Sequence, residues 1–358
     1  MTGLLLSNGA LASDYFGLTA HRIASTQTRD GAIPWFEGGP VDPWNHVEAA
    51  MGLSIAGYCR EAERAYRWLR RTQLSDGSWW SASRDGSPEE SGHRESNSVA
   101  YVASGVWHHY VITRDRAFLL RMWPTVEAAL EFVLALQMPR GAIHWARDAR
   151  GRLVPGALLA GCSSIFKSME CGLRIASTLG EPRPRWRRAC LRLGHALRRW
   201  PGSFPRAGKD RRHFSMDWFY PVLCGAIRGA EGRTRLRAGW DAFVEEGLGC
   251  RCVSEQPWVS VAESCELSLA TLAVGEHERA ASLFSWMHQY RDDDGGYWTG
   301  YNFEDRKIWP AQKTAWTAGV VLLAGDALTG YTPGARLFAI DPPRAGIGAL
   351  RSEGVPVL

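Results

Sequence analysis

The sequence predicts an all-α protein, an (α/α)6 toroid of six helical hairpins. Two observations carry that fold class: a glycine-centred turn that recurs about every fifty residues, and twelve stretches with helical spacing of apolar residues. The strong copies of the turn are Gln27-Thr28-Arg29-Asp30-Gly31-Ala32-Ile33-Pro34-Trp35, Gln73-Leu74-Ser75-Asp76-Gly77-Ser78-Trp79 and Gln137-Met138-Pro139-Arg140-Gly141-Ala142-Ile143-His144-Trp145. Weaker copies stand at Pro201-Gly202-Ser203-Phe204, Gly249 to Trp258, and Asp294-Gly295-Gly296-Tyr297-Trp298. Successive glycines at 31, 77, 141, 202, 249 and 295 are 46, 64, 61, 47 and 46 residues apart, the length of two helices and a loop. A helix stop explains any one glycine, which takes the left-handed conformation freely. It does not explain the glutamine four residues ahead of three of them or the aromatic after all six.

The elements follow in order. Residues 9–27 form the first predicted helix, and 44–59 the second, with Trp44, Val47, Ala50, Met51, Ser54, Ile55 and Tyr58 on one face. The pattern continues at 60–73, 96–112, 115–137, 159–178, 183–199, 217–228, 233–247, 262–274, 276–290 and 313–328. Even-numbered helices are rich in apolar and small residues, as in Ala49-Ala50-Met51-Gly52-Leu53-Ser54-Ile55, and are expected inside. Odd-numbered ones, such as Arg60-Glu61-Ala62-Glu63-Arg64-Ala65-Tyr66-Arg67, carry a charged solvent face. No run of alternating residues predicts a strand. One catalytic domain over residues 1–330 is expected, with a loose tail over 331–358, and the six aromatic loops gather at one mouth of the ring.

Composition narrows the function. With 45% hydrophobic and 22% charged residues, disorder and membrane spanning are both excluded as expectations. Met1-Thr2-Gly3-Leu4-Leu5-Leu6-Ser7 has no basic leader, and eight cysteines show no C-x-x-C pair, so a cytoplasmic protein with reduced thiols is expected. The residues from Arg183 to Arg212 include eleven lysines and arginines with Trp186 and Trp200, yet a solvated outer helix accounts for them and no nucleic-acid partner is expected. Oligomeric state is not readable. Asp292-Asp293-Asp294 reads as solvated turn residues, His46 with Glu48 lacks the i, i+4 spacing of a zinc helix, and Cys250-Arg251-Cys252 is too close-spaced for a zinc half-site. No metal or cofactor is implied.

The segments entering the inner helices bring carboxylates and tryptophans together: Asp42 to Glu48, His93 to Asn97, Ser215 to Tyr220, and Trp258 to Glu266. Capping is the plain alternative for an acid in a first turn, above all for Asp42 before Pro43. Nine of the 17 tryptophans fall in the loops or first turns, however, and indole faces beside carboxylates suit a sugar. Glycoside hydrolysis typically needs two carboxyl groups, one protonated and one ionised. Asp42 and Glu263 are the pair expected to span the pore, with Glu266 as the alternative to Glu263 and Asp217 as a third acid. Trp44, His46, Glu48, Trp79, Glu95, Asp217, Trp218, Trp258, Glu266 and Trp298 are the candidate substrate-binding residues, and Trp44, Trp218 and Trp258 the first stacking candidates in an open cleft.

Gln73-Leu74-Ser75-Asp76-Gly77-Ser78-Trp79 and Asp294-Gly295-Gly296-Tyr297-Trp298 resemble the repeat of terpene cyclases and protein prenyltransferase β-subunits, without the acid motif or metal ligands of either. A broader resemblance spans about residues 10–330. It is carried by Val41-Asp42-Pro43-Trp44-Asn45-His46-Val47-Glu48, Gly105-Val106-Trp107-His108-His109-Tyr110, Ser215-Met216-Asp217-Trp218, Ala262-Glu263-Ser264-Cys265-Glu266 and Tyr297-Trp298-Thr299-Gly300. These strings resemble the actinobacterial methylmannose polysaccharide hydrolases, endo-acting α-1,4-mannanases often labelled prenyltransferases. The resemblance implies a cytosolic glycoside hydrolase acting on a partly methylated mannan, with inversion, and maps the paired carboxylates to Asp42 and Glu263.

Overall fold

The computed structural model describes residues 15–84, 87–89, 92–199, 204 and 212–338. Among them are twelve α-helices: α1 (Gly17–Thr26), α2 (Pro43–Ile55), α3 (Cys59–Thr72), α4 (Ser96–Thr113), α5 (Arg116–Leu134), α6 (Leu159–Leu179), α7 (Pro184–Arg199), α8 (Ser215–Leu223), α9 (Gly229–Phe243), α10 (Val261–Ala273), α11 (His277–Met287) and α12 (Ala315–Thr329). Each matches a predicted stretch, with ends moved by a few residues. The start of the first predicted helix, Trp200 and the turn copy Pro201-Gly202-Ser203 lie outside the described residues.

Burial separates the two helix classes. Eleven of the thirteen residues of α2 are buried, against five of the fourteen of α3. The even helices pack on one another in succession: α2 on α4, α4 on α6, α6 on α8, α8 on α10, α10 on α12 and α12 on α2. Small residues set the closest approaches. A Cβ on Gly319 of α12 would lie 2.6 Å from the Glu48 carbonyl oxygen of α2, and one on Gly105 of α4 would lie 2.4 Å from Val47.

The recurring turn has a physical cause. Gln27, Gln73 and Gln137 each donate two hydrogen bonds, one to the turn's own Gly31, Gly77 or Gly141 carbonyl and one to the carbonyl of Glu61, Thr125 or Ala189 on the next odd helix. The glycines at φ 103°, 88° and 98° press against the same helices, so close that a Cβ would lie 2.2–2.4 Å from a backbone carbonyl oxygen. Gly295 presses likewise on α1, where a Cβ would lie 2.5 Å from the Leu18 Cβ, and Thr19 Oγ1 donates to its carbonyl at 2.8 Å, joining the last turn to the first helix. Lys313 bridges Asp292 and Asp294 at 2.6 and 2.7 Å, and Arg22 meets Asp294 at 2.6 Å, which gives the acidic triplet a structural task at this junction. Gly249 is different: it lies in a strand and faces Ser264, not an odd helix.

Two expectations are corrected. Ten short strands are present among the described residues, the largest sheet being the five-stranded antiparallel one of Lys307–Ile308, Gly300–Asn302, Trp258–Ser260, Gly249–Arg251 and Val244–Glu245. Strands of two or three residues are too short to show a period of two. They carry the loops at the mouth, and Arg94–Glu95 and Trp258–Ser260 run directly into α4 and α10. Of the expected tail 331–358, residues 339–358 lie outside the described residues, and those just after 330 are not loose. Asp326 accepts from the Thr332 N–H at 2.6 Å and its hydroxyl at 2.7 Å, and the turn Pro333–Arg336 packs on α4 and α12. Arg183, just before α7, and Arg185 pair with Glu127 and Glu131, while the Trp186 indole donates to Glu131 at 2.7 Å. Part of the basic character of this segment therefore binds α7 to α5.

Candidate active site

A cleft of about 340 Å³ opens where the even helices begin. Trp35, Asp42, Trp44 and Asn45 line it from α2 and the loop before it; Glu95, Asn97 and Ser98 from the start of α4; Met216 and Tyr220 from α8; Glu263 and Glu266 from α10; Trp316 from α12; and Ser81 from a loop. Four carboxyl groups share it with no lysine, arginine or histidine in its described lining. The positive ends of the helix dipoles are the counterweight that fold supplies.

Asp42 is both cap and wall. Its extended backbone (φ −122°) precedes Pro43, Oδ1 accepts from the Asn45 N–H at 2.9 Å, and Oδ2 accepts from the Trp35 indole at 2.5 Å. Burial raises its pKa to about 6, against the pull of those donors. Glu263 stands in the first turn of α10 in an S-x-x-E pattern: Ser260 caps the Glu263 N–H, and its hydroxyl also donates to the Glu263 carboxylate. Burial pushes this carboxyl up, opposed by its own backbone N–H and the Cys252 thiol. Glu95 occupies the N-cap position of α4 but makes no capping bond. Its carboxyl faces the cleft, raised to about 7 by burial and then by the charge of Asp42.

Asp42, Trp44, Glu95, Glu263 and Glu266 are thus brought together as the sequence suggested, and the other candidates are not. His46 is a core residue: its Nδ1 accepts from the Ile33 N–H at 3.0 Å, so Nε2 carries the proton and donates to the Ala65 carbonyl at 3.0 Å. Burial lowers its pKa to about 4. Glu48, one helical turn deeper than Trp44, is buried behind the cleft and accepts from the Tyr101 hydroxyl at 3.0 Å. Trp79 is buried in its turn, donating to the Leu69 carbonyl at 2.9 Å. Asp217 caps α6 by accepting from the Ala160 N–H at 2.9 Å. Trp218 stacks on Phe243 with ring centres 5.2 Å apart and donates to the Arg235 carbonyl at 2.8 Å. Trp258 donates to the Trp309 carbonyl and meets that indole edge-on, while Trp298 lies under Lys313 Nζ at 4.7 Å. Neither belongs to the cleft lining.

The lining also includes Trp35, Asn97, Ser98, Tyr220 and Trp316, none of them among the sequence candidates. A signal existed for the polar ones, since Asn45 and Asn97 occupy the first turns of successive inner helices. Trp44 is preset as a wall: it stacks on Tyr101 with centres 4.9 Å apart and planes 20° apart. Among the described residues, no three His, Cys, Asp or Glu side chains converge as a metal site.

Comparison with known proteins bears on the fold and the family. Solved structures share the architecture at low identity: a glycosidase covers 92% of this chain and all of its own with a TM-score of 0.70 and 15% identity. A D-mannose isomerase covers 89% of this chain and 98% of its own with a TM-score of 0.63 and 10% identity. These likenesses show the fold, that of the α/α toroid type. No family model matches the chain. In sequence, the MMP endo-(1,4)-3-O-methyl-alpha-D-mannosidase of Mycolicibacterium hassiacum is 48% identical over 337 residues, covering 94% of this chain and 92% of that protein. The chain belongs to the methylmannose polysaccharide endo-α-1,4-mannosidase family.

Proposed function

We propose that this protein is an endo-acting glycoside hydrolase that cleaves internal α-1,4-mannosidic bonds of a 3-O-methylated mannan, with Asp42 as general base and Glu263 as general acid. The observation that carries this reading is the shared cleft: two buried carboxyl groups from α2 and α10 line it beside Trp35, Trp44 and Trp316. Asp42 receives two N–H donors, which favour its charged form as a base. Glu263 is pushed toward its neutral form by burial and has the longer reach toward a leaving oxygen. In an inverting reaction Asp42 deprotonates a water that attacks the anomeric carbon, while Glu263 protonates the departing glycosidic oxygen. The tryptophan faces stack on the sugar's C–H surfaces, and Asn45, Asn97 and Ser98 offer hydrogen bonds to its oxygens.

The same reading takes the twelve helices as one closed (α/α)6 toroid, supported by the unbroken succession of contacts among the even helices and by the Gly295 contact with α1. It takes the eight cysteines, all free, as support for a reducing, cytoplasmic setting. No helix among the described residues is long and apolar enough to cross a membrane. The decisive experiment incubates purified protein with methylated and unmethylated α-1,4-mannooligosaccharides, identifies products by mass, and reads the first-formed anomer by proton NMR. Internal cleavage with an inverted anomer is expected, and retention at the anomeric carbon would replace the base with a nucleophile. Turnover should persist in EDTA; loss restored by a divalent ion would place a metal in the reaction.

A further inference from the structure

Behind the cleft lies a second cavity of about 10 Å³, room for about one water molecule. Glu48 of α2, Tyr101 of α4, Ser164 and Lys167 of α6, Tyr220 of α8 and Glu266 of α10 supply its polar wall. Tyr220 and Glu266 line the cleft as well, so they form the partition between the two spaces. Two fully buried oxygens in this region, Glu48 Oε2 and Ser164 Oγ, have no partner at full hydrogen-bonding geometry, although the Trp44 indole lies beside the Glu48 carboxyl. Buried polar atoms are nearly always satisfied. Glu48, Ser164 and Lys167 all line the cavity.

The remaining carboxyl oxygens meet phenols: the Tyr101 hydroxyl donates to Glu48 at 3.0 Å, and the Tyr220 hydroxyl donates to Glu266. The cations on this side are Lys167, 3.2 Å from Glu170, and Arg228, 3.4 Å from Glu170. Arg228 is 42% exposed and solvated, so the interior cation is Lys167, and Glu170 balances it. The pair is faced by Asp42 and Glu263 from its own two helices, by Cys224 at the end of α8 and, across the cleft lining shared with Glu266, by Glu95 ahead of α4, while α12 contributes Val320 and Leu323 to the cavity. Among the described residues neither Glu48 nor Glu266 has an ion pair, so two ionised glutamates would hold uncompensated charge that one retained proton relieves. Burial, and then repulsion between nearby carboxylates, pushes both groups up.

A protonated Glu266 has chemistry that a carboxylate lacks. The 3-O-methyl oxygen named for the 48%-identical mannosidase accepts hydrogen bonds and has none to donate. An ionised carboxylate repels such an oxygen and prefers a free hydroxyl; a carboxylic acid donates to it.

We propose that Glu48 and Glu266 share one proton beside this water-sized cavity, and that Glu266 presents it to a methyl ether oxygen of the substrate, so that Glu266 determines specificity and Glu48 is its positioning residue. The inference rests on the mannosidase reading. Its test measures kcat/KM for methylated and unmethylated mannooligosaccharides of equal length from pH 5 to 9, in the wild type and in Glu48→Gln. The wild-type preference for the methylated substrate should fall about tenfold as the pair loses its proton, the worth of about one hydrogen bond. In Glu48→Gln the like-charged neighbour is gone, Glu266 ionises more readily, and the fall should move about one pH unit lower. A preference indifferent to pH, or a fall at the same pH in the variant, overturns the proposal. Carboxyl carbon-13 titration of the wild type reads the pair without turnover: one proton retained at pH 7 supports it, and two groups ionised below pH 5 overturn it. Failure of the mannosidase reading itself looks different, as turnover of neither substrate at any pH.

Discussion

At the scale of single residues, the site is built from carboxyl groups whose surroundings differ more than their chemistry. Asp42 is held by an indole and a backbone N–H, while Glu263 is buried against a serine hydroxyl. Asp42→Asn and Glu263→Gln keep shape and most hydrogen bonds but remove the ionisable group. Each should fold and bind oligosaccharide, yet lose turnover by a factor on the order of 10³ or more, since each removes the acid or base proposed for the reaction. Near-wild-type turnover in either variant would send the search to Glu95 or Glu266. With Asp42 as base, the acidic limb of kcat/KM should follow its pKa of about 6. Trp35→Phe deletes the indole donor that favours the charged form, so that limb should move to higher pH. An unmoved limb would separate Asp42 from the base role.

At the scale of elements, the turn repeat is a clamp between successive outer helices. Gln73 satisfies two backbone carbonyls on two different segments, and Gly77 brings the turn against Ala128 of α5. Gly77→Ala places a Cβ 2.2 Å from a carbonyl oxygen at a φ of 88°, so a loss of about 2 kcal/mol or more is expected, read as a lower denaturation midpoint. Gln73→Ala removes one donor from each of two carbonyls, Gly77 and the helical Thr125, and should cost about 1–3 kcal/mol. Gly57→Ala is the control: its φ of 82° carries the backbone penalty, but a Cβ there meets nothing within 4 Å. Equal losses for Gly57→Ala and Gly77→Ala would mean that close approach contributes little.

At the scale of the whole molecule, buried ionisable groups make stability depend on pH in two opposing ways. Asp42, Glu95 and Asp326 have folded-state pKa values raised to about 6, 7 and 6, and Glu48 and Glu266 are also raised. Between the unfolded value of about 4 and these values the folded state binds more protons, so this set loses stability as pH rises. His46, His109 and His288 are lowered to about 4, and His108 to about 3, by burial. There the unfolded state binds more protons up to about pH 6.5, so that set gains stability as pH rises. The two sets largely cancel between about pH 4 and 6.5, and the carboxyl set dominates above it. Tm should therefore be nearly flat to about pH 6.5 and decline toward pH 8, with a shallower decline in Glu48→Gln. A Tm that rises from pH 7 to 8 would contradict the buried-acid account.

The sequence by itself determined the twelve helices, their inner and outer classes, and the gathering of acids and tryptophans at helix starts. Those features are written in spacing and composition: a helix face repeats every 3.6 residues, and a turn that must meet a neighbouring carbonyl tolerates only glycine. The sequence also singled out Asp42, Trp44, Glu95, Glu263 and Glu266, because each falls at the start of an inner helix. Only the tertiary structure decided direction and depth. His46 lies two residues beyond Trp44, yet its ring turns into the core and spends both nitrogens on backbone. Glu48 lies four residues beyond Trp44 and one turn deeper, which removes it from the cleft and sets it against Tyr101. Trp79, Trp218 and Asp217 were drawn into capping and packing by partners distant in sequence, and the short strands of the mouth exist only through pairing between loops. A residue's place along a helix is a local property; which wall it faces is fixed by the neighbours that the fold brings to it.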